Sequence, residues 1–193
     1  MLKHALRATA VLALVAAVAA PVAVAAPAPA PAPEPASVRV LAASAASSLK
    51  GEARLGYEDA TEQVRVTVDA HAAYEHGSIP TRSWGTFRIS HVIKGQDYWG
   101  DFEVDCLSSG GPTATVTGRL VRTSPGHPWL EYLDPHTRMG LSFLVPRNRA
   151  NGPARVGLSG ATLKGEPLLT KCMAPAADMP VVEGGYTLRD RRS

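Results

Sequence analysis

Apolar and polar residues alternate with a period of two along several segments of this chain, and this pattern limits its possible folds most strongly. The clearest segments are QVRVTVDAHA (63–72), DFEVDC (101–106), TATVTGRL (113–120) and MGLSFLV (139–145). Successive side chains of a strand point to opposite faces of a sheet, so each segment has one apolar and one polar face. The pattern therefore predicts half-buried β-strands.

Turn residues separate these segments. The run SSGGP (108–112) predicts a hairpin between the second and third segments, because paired glycines tolerate positive φ angles. Further turns are expected at 58–60 and 94–97, and a last strand at 184–190. Long helical periodicity is absent, and 16 prolines and 17 glycines disfavour helices. We predict an all-β fold, an antiparallel β-barrel, with a β-sandwich as the alternative.

The first 50 residues differ in composition from the rest of the chain. Two basic residues, an apolar run over 8–20 and the small residues ending at Ala25 predict a secretory signal peptide. The apolar run is shorter than the roughly 20 residues of a membrane helix, so we expect no membrane span after processing. The run PAPAPAPEP (27–35) favours an extended spacer. The predicted organisation is a signal peptide over 1–25, an Ala/Pro/Ser-rich disordered linker over 26–50 and a single β domain over 51–193.

Charge gives little indication of a partner. Without Lys3 and Arg7 of the predicted signal peptide, 18 basic residues remain against 17 acidic ones. Such a balance argues against a nucleic-acid partner. The predicted location is extracellular.

The chain contains two cysteines, Cys106 and Cys172. Thiols of exported proteins usually pair, so a structural disulfide is expected. Cys106 takes an apolar position in the alternation and is predicted to point inward. Cys172 lies in a late proline-containing segment, which the disulfide would attach to the core side of the central hairpin. A free thiol, a metal pair and a catalytic cysteine are the alternatives, and a catalytic cysteine needs an activating base.

The histidines suggest a metal-binding or acid–base role. Asp69 and His71 are two residues apart on one face of a predicted strand, about 6.6 Å along it, so both side chains can reach one ion or pair with each other. His91 continues the apolar phase of Phe87 and Ile89 and is expected to point inward. These residues suggest a metal or general-base site in a barrel mouth. No metal-ligand or catalytic spacing motif supports it, so we predict no catalytic residue, no metal ligand and no cofactor.

Aromatic residues concentrate around one predicted turn. Trp84 and Phe87 precede the turn, and Tyr98, Trp99 and Phe102 follow it. Such rings either stack on a ligand or pack across strands, and cross-strand packing is the commoner role.

Five short motifs resemble small secreted proteins of actinomycetes of the repetin-like, uncharacterised type. The motifs are VTVDAHA (66–72), GTFRISH (85–91), GDFEVDCL (100–107), ATVTG (114–118) and KCM (171–173). The resemblance covers the part of the chain beyond Gly51 and implies a secreted β domain in which Cys106 and Cys172 pair. It implies no catalytic residues. The segment PGHPWLEYLDPHTRMG (125–140) is longer than this group leads us to expect.

These observations favour a secreted, non-catalytic domain that binds a cell-envelope component, a small ligand or a protein. Two alternatives remain open at this point. One is a metal-assisted or general-base hydrolase that uses Asp69 and His71. The other is an inhibitor of a secreted protease that presents the loop over 172–180 as a constrained contact.

Overall fold

Eight antiparallel strands close into a barrel in which each strand pairs with its neighbours in the sequence and the last strand pairs with the first. The computed structural model describes residues 47–59, 61–75, 79–148 and 151–190. The strands are β1 (Ser47–Leu55), β2 (Gln63–Ala73), β3 (Arg82–Ile93), β4 (Gln96–Gly110), β5 (Thr113–Thr123), β6 (Arg138–Leu144), β7 (Arg155–Leu158) and β8 (Met179–Asp190), with one short helix, α1 (Trp129–Tyr132), between β5 and β6. The predicted barrel is confirmed, and the sandwich alternative is wrong.

The turns predicted from glycine lie where expected. Lys94 and Gly95 connect β3 to β4, and both have positive φ angles of 50° and 80°. This is the backbone shape of a two-residue hairpin turn, whose twist matches that of the flanking strands. Gly111, with a φ of 59°, and Pro112 connect β4 to β5.

The barrel begins earlier in the chain than predicted. The strand β1 starts at Ser47, within the segment that the sequence analysis assigned to the linker. Ser47, Leu49, Ala53 and Leu55 point inward and are buried. Only Leu49 and Leu55 among these four residues are bulky, so the alternation of apolar and polar residues is weak and does not predict the strand. The predicted signal peptide and the linker up to residue 46 lie outside the described residues.

Aromatic rings fill the middle of the barrel. Phe87 and Phe102 lie opposite each other on β3 and β4 and stack with their ring centroids 4.6 Å apart. The ring of Phe87 covers Gly118 of β5, where an added Cβ would lie 2.7 Å from the ring. Interiors of eight-stranded barrels are narrow enough to be filled by side chains. Here a glycine on one strand makes room for a ring from another.

The outer wall carries pairs of opposite charge. Salt bridges join neighbouring strands, and they are Lys50 with Asp69, Arg65 with Glu52, Arg54 with Glu183, and Asp101 with both Arg88 and Arg122. Most of these side chains are exposed, so each pair contributes little to stability on its own. Their distribution shows that the polar face of the alternating strands points outward.

Cys106 and Cys172 form a disulfide, as predicted, with their Cα atoms 5.4 Å apart. The predicted inward direction of Cys106 is wrong. A β-bulge between Val104 and Cys106 shifts the register of β4 against β5 by one residue. Beyond the bulge Leu107 takes the inward position, and Cys106 pairs with Thr117 on the outer face. One inserted residue therefore moves the disulfide from the core side to the outside of the wall.

The segment that contains Cys172 crosses the outside of the barrel, and we call residues 169–176 the outer strap. It runs over a row of small outward positions on β5, β6 and β7, which are Thr117, Gly140 and Gly157. A Cβ added at Gly140 would collide with the carbonyl oxygen of Met173, and one at Gly157 with that of Ala176. Glycine is thus required where the strap backbone touches the wall.

A polar network attaches the outer strap to the wall. Oδ1 of Asp105, the residue inserted by the bulge, accepts a hydrogen bond from Thr117 at 2.6 Å, and Oδ2 accepts one from Nε of Arg138 at 2.8 Å. Arg138 also donates to the carbonyl oxygen of Leu169, and the backbone N–H of Cys172 donates to Oγ1 of Thr117. Because the Arg138 side chain is only 10% exposed, its charge needs these partners.

Replacing both cysteines by alanine is expected to lower the free energy of unfolding by about 4 kcal/mol, the loop-closure value for a crosslink of this length. The two cysteines are 66 residues apart in sequence. Urea unfolding followed by tryptophan fluorescence measures the change. A loss below about 1 kcal/mol would show that the hydrogen bonds of the strap suffice without the crosslink.

Gly140→Ala is expected to destabilise the barrel by about 1–3 kcal/mol, because the added methyl group pushes against the strap backbone. Gly110→Ala is the matched control, since the space around its Cβ position is open. Thermal unfolding of the two variants compares them. Equal melting temperatures would contradict the close contact between strap and wall.

Candidate functional site

The two ends of the barrel differ. At one end Oγ of Ser109 donates to Oγ of Ser47 at 2.8 Å, and Ser47 donates to Oδ1 of Asp190 at 3.2 Å. Ser47 and Ser109 are buried, so this small polar cluster closes that end. The other end carries the connections β1–β2, β3–β4, β5–β6 and β7–β8, and it holds a cavity of about 510 Å³. We call this cavity the mouth.

The floor of the mouth is apolar. Val64 of β2, Ile89 of β3 and Met139 of β6 take inward positions and line it from below. All three belong to the same hydrophobic core as the Phe87–Phe102 stack. The mouth is therefore a cup that rests on a filled barrel.

Aromatic and imidazole rings line one wall of the mouth. Tyr57 meets His91 edge to face at 5.1 Å, and His91 pairs across strands with Tyr98. Tyr98 contacts His127 at 5.6 Å, and His127 contacts Trp129 at 4.3 Å. Adjacent aromatic and imidazole rings give the cup a wall on which a flat molecule can stack.

Trp129 reaches into the barrel because β4 has a glycine at the facing position. A Cβ on Gly100 would lie 2.7 Å from the indole ring. The indole also meets Phe102 edge to face, with ring centroids 6.1 Å apart. Trp129 thus joins the wall of the mouth to the aromatic stack of the core.

The connection between β5 and β6, residues 124–137, forms a hood over this side of the mouth. Its end is anchored at Thr137, which is fully buried and whose hydroxyl accepts a hydrogen bond from the backbone N–H of Thr162 at 2.8 Å. Leu133 forms a backbone bridge to Leu163. The hood therefore rests on the β7–β8 connection.

The opposite wall of the mouth has no aromatic side chain among its described residues. Leu158, Ser159 and Gly160 at the end of β7 and Met179 at the start of β8 line it. Oγ of Ser159 accepts a hydrogen bond from the N–H of Gly140 at 2.8 Å. The small residues on this side leave space facing the aromatic wall.

Burial keeps His127 neutral. The side chain is buried, and the loss of hydration lowers the pKa of its imidazole below the ordinary value of 6.5. Nδ1 accepts a hydrogen bond from the backbone N–H of Trp129 at 3.0 Å. In the neutral ring Nε2 therefore carries the proton.

His91 enters the mouth from β3, as its phase predicted. Its Nε2 lies 2.6 Å from Oε2 of Glu62, and both side chains are half-buried. No lysine, arginine, aspartate or glutamate lines the described part of the mouth. The lining thus consists of apolar side chains, hydroxyl groups and imidazoles, and Glu62 contacts one of these imidazoles from behind.

The predicted site of Asp69, His71 and His91 is not assembled. His71 pairs with Trp84 across β2 and β3, whereas His91 pairs with Val64, about 23 Å away along β2. Asp69 and His71 do bond to each other at 2.6 Å, on the outer wall, where Lys50 also binds Asp69 and His71 stacks on Trp84. Among the described residues there is no group of three or more histidine, cysteine, aspartate or glutamate side chains able to hold a metal ion.

The predicted aromatic cluster is divided by the wall. Phe87 and Phe102 lie inside. Trp84 and Trp99 lie outside, where Arg82 and Arg88 cover their rings at 5.2 and 4.2 Å. Only Tyr98 reaches the mouth.

Sequence reasoning missed His127 and Trp129. The signal that would have found them is the unusual segment 125–140, which places several aromatic residues in a long connection between two strands. Long connections with apolar residues of their own often serve a function.

A second cavity, of about 560 Å³, lies on the outer wall beside the disulfide. It is bordered by residues 79–83 and the outer strap, and its charged side chains have both signs, with Arg82, Arg119 and Lys171 facing Glu103 and Asp105. Asp105 is already engaged by Thr117 and Arg138. This groove has no aromatic wall comparable to that of the mouth.

Comparisons with protein-family models, with curated proteins and with solved structures find no match to this chain.

The described part of the chain contains no helix with the length and apolar character that a membrane crossing requires.

His127 makes the stability of the protein depend on pH. Because its pKa is lowered in the folded state, the unfolded chain binds a proton more readily, and stability falls as the pH drops below 6.5. His127→Asn keeps an acceptor for the Trp129 N–H but does not titrate. The variant is expected to lose less stability than the parent between about pH 7.5 and about pH 5.5, as measured by urea unfolding.

His136→Asn provides the control for this experiment, because His136 lies exposed on the same hood. Its pH dependence is expected to follow that of the parent protein. Identical slopes for the parent and both variants would show that His127 is not kept neutral by burial.

Proposed function

We propose that this protein is an exported, non-catalytic binding domain that takes up a small, flat, largely apolar ligand in the mouth of its barrel. The observation that carries the proposal is the set of aromatic and imidazole rings from Tyr57 to Trp129 that lines one wall above an apolar floor. Small-molecule sites are typically concave and apolar with a few placed polar groups, and barrel mouths are a frequent position for them. The volume of the mouth lies within the usual range for such sites.

Export is part of this proposal. The N-terminal pattern of basic, apolar and small residues supports it. The disulfide between Cys106 and Cys172 is also typical of proteins that leave the cytoplasm. The resemblance to small secreted actinomycete proteins remains a proposal of the same kind.

The two alternatives have weaker support in the geometry. The Asp69–His71 pair of the hydrolase hypothesis lies on the convex outer wall, and the Asp69 side chain is 54% exposed. The loop over 172–180 of the inhibitor hypothesis runs along the barrel wall, where Thr117 and Arg155 bond its backbone at Cys172 and Asp178. An inhibitory loop must enter a protease cleft. These contacts favour the mouth over both alternatives.

Binding can be tested with N-phenylnaphthylamine, an uncharged aromatic probe whose fluorescence rises in apolar surroundings. Gly160 lines the mouth, and its Cβ position is free of other atoms within 4 Å. Gly160→Phe is therefore expected to fill part of the cup without disturbing the barrel and to weaken probe binding by about tenfold or more. Fluorescence titration gives the dissociation constants.

Gly110→Phe serves as the matched control, since the position is equally open but lies at the opposite end of the barrel. We expect its affinity to stay within about twofold of the parent value. Absence of probe binding to the parent, or equal weakening by both substitutions, would count against the mouth as the binding site.

A further inference from the structure

The pair of Glu62 and His91 supplies a polar contact inside a cup whose floor is apolar. Glu62 lies just before β2, and His91 lies near the end of β3. Their side chains are 22% and 28% exposed, so the pair is partly shielded from water. Of the two residues only His91 lines the mouth, and Glu62 stands behind it.

The carboxylate determines which nitrogen of His91 is protonated. An ionised carboxylate accepts hydrogen bonds and does not donate them. Nε2, at 2.6 Å from Oε2 of Glu62, therefore carries a proton. In the neutral ring Nδ1 is left with a lone pair, and it makes no hydrogen bond to another described residue.

Among the described residues, the rings next to His91 provide no hydrogen-bond donor to Nδ1. Tyr57 meets the His91 ring through an aromatic edge contact, and Tyr98 is its partner across the strands. Neither hydroxyl donates to His91 among the described hydrogen bonds, which give His91 only Glu62 as a partner. Because His91 lines the cup, a ligand that covers Nδ1 must supply a donor to it, since a polar group that is buried without a partner is costly.

We propose that His91 selects ligands with a hydroxyl group on a flat ring system, an uncharged phenol or enol, by accepting its proton in a hydrogen bond at Nδ1. This inference rests on the proposed binding function and specifies its ligand class. His91 is the contacting residue. Glu62 is a positioning residue that holds the tautomer. A site built to bond a hydroxyl rejects the analogue that lacks the donor.

The test compares β-naphthol with its methyl ether, which has the same ring system but no hydroxyl donor. Wild-type protein is expected to bind the naphthol about tenfold more tightly, or better. His91→Phe keeps a flat ring and removes the acceptor. It is expected to bring the ratio of the two dissociation constants close to one while the ether still binds. Fluorescence titration or calorimetry measures both constants.

His71→Phe is the matched control. His71 has the same kind of carboxylate partner, Asp69 at 2.6 Å, but lies on the outer wall. The wild-type ratio is expected to persist in this variant. Glu62→Gln is expected to lower the ratio, since a side-chain amide can donate to Nε2 and reverse the tautomer. A merely structural role of Glu62 would weaken both probes equally and leave the ratio unchanged.

A measurement on the unmodified protein keeps the test independent of how the variants fold. The nitrogen resonance of Nδ1 of His91 is expected to shift on addition of β-naphthol and to stay nearly constant with the ether.

A wild-type ratio of the two dissociation constants near one, or a ratio that persists in His91→Phe, overturns the inference alone. Failure of both probes to bind overturns the proposed binding function as well.

Discussion

The stack of Phe87 on Phe102 fills the middle of the barrel, and the position of the mouth depends on it. The stack is possible because Gly118 leaves room for the Phe87 ring. With this level occupied, a ligand has no path through the barrel and must rest on the floor above it. A second glycine, Gly100, lies nearer the mouth, and the absence of a side chain there makes room for the ring of Trp129. Two glycines on neighbouring strands therefore set both the depth of the cup and one of its walls.

The outer strap and the mouth belong to the same connection between β7 and β8. This connection leaves the rim at Ser159, supports the hood through Thr162, crosses the outside of β6 and β5 to reach Cys106, and returns to β8. The pairing of β7 with β8 is short, limited to two residue pairs. The disulfide anchors the connection to β4 and so compensates for this short seam. One segment of the chain therefore contributes both to the crosslink and to the binding site, although these lie on different sides of the barrel wall.

Local sequence patterns predicted the barrel but not its site, for physical reasons. Period-two alternation and glycine turns are local signals, and they were sufficient for the central strands and hairpins. The bulge at Asp105 has no such local signal. The inserted residue changes the face on which the following side chains lie, and this change is defined only by the pairing with the neighbouring strand. The direction of Cys106 was therefore predicted wrongly. The mouth is built from residues of three connections and six strands, so residues as distant in the sequence as Tyr57 and Trp129 line one cavity only after the barrel closes.

Two histidines with carboxylate partners show how the fold places chemically similar pairs in different surroundings. In both, Nε2 lies 2.6 Å from a carboxylate oxygen. Asp69 is 54% exposed and also binds Lys50, so water and a cation share its charge. Glu62 is 22% exposed, and its partner His91 borders an apolar cup. Of these two imidazoles, only that of His91 lines the mouth, where a ligand can contact it. The outer pair was visible from residue spacing, whereas the pair in the mouth arises only from the closure of the barrel around it.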